Sequence, residues 1–450
     1  MVDFLLLVTG LSGFIILFYT ALISYTEKEF RAARISLFLS TAWLILFLLT
    51  FWFNFPGKET VSFLILGGVF LGFIVIVLPI NHPVKEPFPT PVEKHDERDV
   101  MFSRNELQPG TSRYDEYYNK NPERKSLDGK FREKPGLLSS GSLMYHSVMF
   151  AAAEATFETI EALKPWVNGP VAEAKIPVNP PEISNYMKRW IKKQGAHSVG
   201  ITGLKNYHLY SHKGRGDLYG KEIKNTHSYA IALTVEMDHE MIQTAPKAPV
   251  TMESSQQYLT SGTLAVQLAA FIRRLGYSAR AHIDGNYELI CPLVARDAGL
   301  GEIGRMGLLM TPLLGPRIRI AVVTTDMPLP TDQRKDYSSV IDFCNRCKKC
   351  ADACPSASIP HAGRTKEKGV SRWKINSESC FTYWSTIGTD CGRCISVCPY
   401  AHPNSPMHNV IRWGIGNSTL FRRFALWMDD LFYGRKPKAS PIPFWLNPDC

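Results

Sequence analysis

The sequence predicts a chain of mixed α+β and α/β class: three membrane-spanning helices at the front, an α/β body behind them, and a cysteine-rich module near the end. Three observations carry this. Three apolar stretches of span length, free of charged residues, occupy the first 80 residues. Behind them, strand-like apolar runs alternate with helical ones. Eight of the ten cysteines fall between Cys344 and Cys398. Changes of composition divide the 450 residues into an anchor (1–82), a linker and N-terminal wrap (83–180), a body (181–340), a cysteine module (341–403) and a C-terminal segment expected to pack on the body (404–450).

The spans are Phe4–Ser24, Ile35–Phe53 and Val61–Ile80. At about 1.5 Å rise per residue, each covers the roughly 30 Å core of a bilayer. A signal peptide has one short apolar core behind a basic start. This chain opens Met-Val-Asp, repeats the stretch three times and has no twin-arginine pair near its start. The loop between the first two spans carries Lys28, Arg31 and Arg34, the next only Lys58, and Lys85, Lys94 and Arg98 follow the third. The positive-inside rule therefore predicts a multi-pass protein of the cytoplasmic membrane with its large C-terminal part facing the cytoplasm. The net charge of +10 lies entirely behind residue 80, as suits a body held against anionic lipid. No run of five Lys or Arg supports nucleic acid as a partner.

Residues 81–135, rich in Pro, charge and Tyr, read as linker and irregular wrap. Helical spacing covers Leu143–Leu163, Ile183–Gln194 (closed by Gly195) and Ser255–Leu275 (closed by Gly276). His197–Ile201, Tyr229–Val235 and Arg319–Thr324 read as buried strands. His197, His227, His282 and His361 are scattered and read as structural.

The cysteines follow a tighter rule. Cys344, Cys347, Cys350 and Cys354-Pro355 have the x2, x2, x3-Pro spacing of bacterial iron–sulfur runs. Cys380, Cys391, Cys394 and Cys398-Pro399 form a second set with a lengthened first gap. In such runs the fourth cysteine serves the other cluster. One 4Fe–4S cluster is thus expected on Cys344, Cys347, Cys350 and Cys398, the other on Cys380, Cys391, Cys394 and Cys354. Paired zinc sites also use Cys-x2-Cys, but they do not explain two x3-Pro endings.

From Tyr258 to Cys398 the chain resembles the catalytic subunit of corrinoid-dependent reductive dehalogenases. The likeness lies in Tyr258, Phe271 to Ala279, Ala298 to Gly307, Thr311 to Arg319, Thr325 to Leu329 and Phe343 to Pro355. It weakens toward Ile183. The commonest members carry an export signal and use a separate anchor protein. The three spans here are those of the membrane-integrated branch.

The resemblance implies a nitroreductase-like, corrinoid-binding body and a base-off cobamide. Reduced cobalt would attack an organohalide, and a tyrosine would protonate the carbon. By position, Tyr258 matches that tyrosine, Arg305 the cation beside it and Asn286 a further polar partner. Gly299, Gly301 and Gly304 would let the backbone lie against the corrin. Periodicity alone reads Tyr258 as a core residue, since it shares a helix face with Gly262, Ala265, Ala269 and Ile272. The implied partners are a small organohalide, membrane lipid and an electron donor such as ferredoxin, flavodoxin or a quinol-linked system. Two other functions fit parts of the chain: an epoxyqueuosine reductase acting on tRNA, which lacks the three spans, and a non-catalytic membrane ferredoxin, which leaves some 200 residues of body without a task.

Overall fold

The computed structural model describes residues 2–78, 91–367 and 369–446. Lys85 and Cys450 lie outside them. The chain forms two compact units, Met1–Val84 with Asn404–Pro437 and Lys85–Pro403 with Lys438–Cys450.

In the first unit, α1 (Val2–Thr26), α2 (Phe30–Trp52) and α3 (Lys58–Val77) are each long and apolar enough to cross a membrane. Their large apolar side chains point outward: Phe38 and Leu64 are each 71% exposed, the reverse of a water-soluble helix. Small residues let α1 and α2 close on each other. A Cβ at Gly13 would stand 2.1 Å from Trp43 Nε1, and that indole donates to the Thr9 carbonyl at 3.3 Å.

The second unit begins with α4 (Met101–Asn105), α5 (Ser112–Lys120) and α6 (Pro122–Arg132). Residues 101–132 are therefore largely helical, not the irregular wrap their composition suggested. Buried charge organises them: Arg104 Nη1 bonds Asp128 at 2.9 Å, Tyr118 donates to Asp128 at 2.7 Å, and Arg104 Nη2 reaches Glu378 at 2.6 Å. Composition reports the polar residues but not that they pair with one another.

The body follows: α7 (Ser147–Leu163), α8 (Pro180–Lys193), α9 (His239–Gln243), α10 (Ala248–Arg274) and α11 (Cys291–Asp297), with strands β1 (Ser198–Gly203), β2 (Tyr229–Glu236), β3 (Ala279–His282), β4 (Glu302–Ile303), β5 (Leu309–Met310) and β6 (Ile318–Thr325). Four of these make one sheet in the order β1-β2-β6-β3, with Leu233 opposite Ala321 and Ala281 opposite Val323. Every pairing in this sheet is antiparallel, so the body is α+β, which corrects the α/β body expected: alternating apolar helices and strands do not reveal strand direction. Side chains alternate across it. Ile231, Leu233, Ala321 and Val323 pack with Leu264, Leu268 and Ile272 of α10, while Ala230, Ala232 and Val322 pack with Val294 and Ala295 of α11. The helix α10 starts seven residues before the expected Ser255, because its first turns are buried too.

The cysteine module adds α12 (Ser338–Cys347), α13 (Lys349–Asp352), the short strands β7 (Thr365–Glu367) and β8 (Val370–Arg372), α14 (Ser377–Ile387) and α15 (Arg393–Ser396). The strands β7 and β8 lie between the two cysteine sets, and most of the lengthened gap from Cys380 to Cys391 is taken up by α14. The chain ends with α16 (Pro406–Asn417) and α17 (Thr419–Phe432). Only Lys438–Cys450 joins the body's unit, whereas Asn404–Pro437 belongs with α1–α3. This corrects the expectation that 404–450 as a whole packs on the body: the apolar stripe of α17 packs against α2 and α3.

Removing Asp128 leaves Arg104 charged and buried. Asp128→Ala should cost about 3 kcal/mol, the usual penalty for breaking a buried pair, read as denaturant unfolding of the purified protein. Adding Arg104→Met should recover more than half of that. A loss under about 1 kcal/mol for Asp128→Ala would show that the pair does not hold the wrap.

Candidate active site and metal centres

The turns of the cysteine module bring its thiols together. Lys348, Cys391 and Gly392 adopt left-handed backbone (φ 57°, 60° and 66°), which folds each Cys-x2-Cys segment back on itself. Cys398 lies within electrostatic reach of Cys344, Cys347 and Cys350. Cys354 lies within reach of Cys380, Cys391 and Cys394. Cys394 also senses Cys350, so the two groups are neighbours. None of the eight is in a disulfide. Burial pushes the Cys350 and Cys391 thiols up to about 12 and Cys394 and Cys398 well above the usual range. Eight free thiols in two groups of four suit metal, because coordination removes the proton that burial would otherwise retain.

Beside the second group lies an apolar-walled space. One cavity of about 230 Å³ is lined by Tyr210, Tyr258, Tyr287, Leu308, Ile318 and Arg319 among others. A second, of about 180 Å³, shares Tyr258, Leu308 and Arg319 and extends to Cys354, Cys380, Cys391 and Cys394. Tyr258 comes from the middle of α10 and Arg319 from β6, so the two elements that sandwich the core also set this pair. The Arg319 guanidinium stands 4.8 Å over the Tyr258 ring. Its Nη2 donates to Asp390 Oδ2 at 3.1 Å and to Ser254 Oγ, and its Nη1 to the Met237 sulfur at 3.2 Å and the Ile318 carbonyl at 3.4 Å. Asp390 in turn accepts from Ser254 and from Thr251 (3.2 Å), and its N–H donates to Thr251 Oγ1. Burial pushes the Tyr258 hydroxyl up to about 12 against the downward pull of Arg319. A net lowering, as expected beside a guanidinium, is not what this environment gives: desolvation wins.

Three sequence expectations are corrected here. Arg305 does not stand beside Tyr258. Its guanidinium donates to the carbonyls of Cys344 (3.0 Å), Pro360 (2.6 Å) and Ala362 (2.8 Å), and it lies 5.0 Å over the Trp373 ring. It is spent on the loops around the first cysteine group. Asn286 accepts from Arg280 at 2.9 Å and lines neither cavity. Gly299, Gly301 and Gly304 also lie outside both linings. Each is small because of the chain itself: added Cβ atoms would meet Gln333 O at 2.7 Å, Met310 O at 2.2 Å and Met310 Cγ at 2.7 Å. The residues missed were Arg319 and Asp390. A signal for Arg319 existed, because a lone cation inside the apolar strand Ile318–Thr325 is costly without a partner.

Comparison with known proteins defines the class first. Residues 343–402 match the 4Fe-4S dicluster domain family, so the cysteine module is an iron–sulfur module. Beyond that module the chain is similar to reductive dehalogenases over more than half of its length, as residues 258–398 suggested. It is 32% identical over 300 residues to the tetrachloroethene reductive dehalogenase of Sulfurospirillum multivorans, covering 59% of each protein. Its fold matches the catabolic reductive dehalogenase NpRdhA in complex with 3-bromo-4-hydroxybenzoic acid (TM-score 0.66, 25% identity, 79% of this chain and 49% of that one). It also matches a reductive dehalogenase structure described as suggesting a mechanism for B12-dependent dehalogenation (TM-score 0.64, 25% identity, 79% and 49%). The chain thus spans about half to three-fifths of the length of these relatives.

Anaerobically reconstituted protein should hold about eight iron atoms, four for each cysteine group. Cys291→Ser should leave that number unchanged, since Cys291 lies in the cavity wall apart from both groups. Stoichiometric zinc with little iron would contradict the assignment.

Proposed function

We propose that the chain is a membrane-anchored reductive dehalogenase of the membrane-integrated branch. It would replace the halogen of a small organohalide by hydrogen: substrate, two electrons and one proton give the reduced product and halide. The observation that carries this reading is the Tyr258–Arg319 pair, set in an apolar-walled space that extends to the second cysteine group. When bound, two 4Fe–4S clusters and a base-off corrinoid supply the electrons that break the carbon–halogen bond.

The chain's own residues do the rest. Cys344, Cys347, Cys350 and Cys398 would hold one cluster, and Cys354, Cys380, Cys391 and Cys394 the one nearer Tyr258. Tyr287, Leu308, Ile318 and Ile320 offer apolar walls for the corrinoid and exclude water. Tyr258, with its hydroxyl pushed up to about 12, stays protonated at neutral pH and is a loaded proton donor. Arg319 favours the phenolate that forms as the proton leaves. Asp390 and Ser254 hold that guanidinium over the ring. The nitroreductase-like reading of the body rests on its antiparallel sheet with α10 across one face. Electrons would come from a ferredoxin, a flavodoxin or a quinol-linked system. The loop charges favour a cytoplasmic face for the body.

Tyr258→Phe removes one hydroxyl and little volume. Iron content should survive, and halide release under single turnover with the cofactor pre-reduced should fall by about 10²–10⁴. Arg319→Met should lower the same step, and Arg319→Lys should retain part of it. Arg305→Met should act differently, lowering iron content before it touches the chemistry. Normal turnover by Tyr258→Phe would return Tyr258 to the core role its helical spacing suggests.

A further inference from the structure

The helices α16 and α17 carry apolar residues where a water-facing helix would not. On α16, Val410 and Trp413 are 61% and 55% exposed. On α17, Leu420 and Trp427 are 38% and 60% exposed, with Phe424 half-buried between them and its ring 6.1 Å from that of Trp427. The spacings of three and seven place each set on one face of its helix. A different face of α17 is used: Phe421, Ala425 and Phe432 are buried, and the helix packs on α2 and α3.

Both ends of this hairpin are fastened to one end of the spans. At its start, His408 Nε2 pairs with Glu27 at 3.0 Å, and Thr20 Oγ1 contacts the Met407 sulfur at 3.1 Å. At its finish, Arg31 Nε donates to the Leu431 carbonyl at 3.3 Å, and Gly434 lies against the same guanidinium. Glu27 and Arg31 flank the turn between α1 and α2, where the chain leaves the apolar layer. The hairpin is therefore held at the depth of that turn. Residues 404–437 hold five basic side chains against two acidic ones, and Arg423 and Lys436 are exposed. Aromatic rings edged by cations suit the boundary between acyl chains and anionic headgroups.

We infer that α16 and α17 form an interfacial hairpin whose Val410–Trp413 and Leu420–Trp427 faces lie in the phospholipid headgroup boundary of the membrane that α1–α3 cross. This rests on the transmembrane reading of α1–α3. It adds a second, in-plane attachment to that anchor.

The test uses the full chain in bilayers containing anionic phospholipid, brominated either near the headgroup end or near the methyl end of the acyl chain. Tryptophan emission is the readout. Quenching by shallow bromine should exceed quenching by deep bromine for the emission lost in the Trp413→Phe, Trp427→Phe double variant, and that variant should lose roughly half of the shallow-quenched signal. Leu420→Trp, which removes no aromatic contact, should gain quenchable emission. An unchanged quenchable fraction in the double variant, with no gain from Leu420→Trp, would overturn the proposal. So would blue-shifted emission from these positions that bromine leaves untouched, since a second copy or another protein would then cover the faces. Failure of the transmembrane reading has its own signature: release by alkaline carbonate, with Trp43 and Trp52 emission unquenched.

Discussion

The contact between Arg319 and Asp390 is the constraint on which the candidate site depends. It ties together three parts of the chain that are distant in sequence. Arg319 belongs to β6 in the centre of the sheet, Asp390 directly precedes a cysteine of the second group, and Ser254 and Thr251 of α10 bond Asp390. A guanidinium placed beside an apolar cavity is costly unless its donors are used. Here two go to Asp390 and Ser254, and the cationic face is left to Tyr258. Tyr258, the guanidinium over its ring and the thiols nearest to it are thereby fixed by one network. A shift of the cysteine loop would move the arginine, and with it the electrostatics at Tyr258.

Two further arginines do similar work for the other cysteine group. Arg317, directly before β6, donates to the carbonyls of Met237 and of Ala401 (2.8 Å), close after Cys398. Arg305 gathers the carbonyls of Cys344, Pro360 and Ala362. Backbone carbonyls at the ends of such short turns have no helix or strand partners. A buried guanidinium, with five donors in a rigid plane, satisfies several at once. The iron–sulfur module is thus attached to the body through planar cations as well as through apolar packing, such as that of Ile395 with Met237, Ile242 and Val250. This explains why arginines recur in sequence segments that otherwise read as core.

What the sequence disclosed depended on the range of each signal. The spans were legible because twenty uncharged apolar residues have few other solutions. The cysteine groups were legible because their spacing is set by local turn geometry, and strands such as Tyr229–Val235 because a short apolar run is a local signal too. Tyr258 was legible through resemblance only, since its spacing is that of a core residue. Its partner was misplaced: Arg305 and Arg319 both lie among glycine and isoleucine, and only the tertiary structure shows which one meets Tyr258 of α10. The glycines at 299, 301 and 304 were misread for a related reason. A sequence shows that a Cβ is excluded, but not whether a ligand or the chain's own carbonyl excludes it. The C-terminal helices were assigned to the wrong unit because their amphipathic pattern does not name the surface it meets.

The central claim is that Tyr258 and Arg319 act as one proton-donating unit. It is tested most directly by a double-mutant cycle on halide release, under single turnover with pre-reduced cofactor. The enzymes compared are the wild type, Tyr258→Phe, Arg319→Met and the double variant, all matched for iron content. If Arg319 acts through the tyrosine, the double variant should be no slower than Tyr258→Phe alone by more than about threefold. Losses that multiply across the cycle would contradict the account, because the arginine would then serve the reaction independently of the tyrosine it covers.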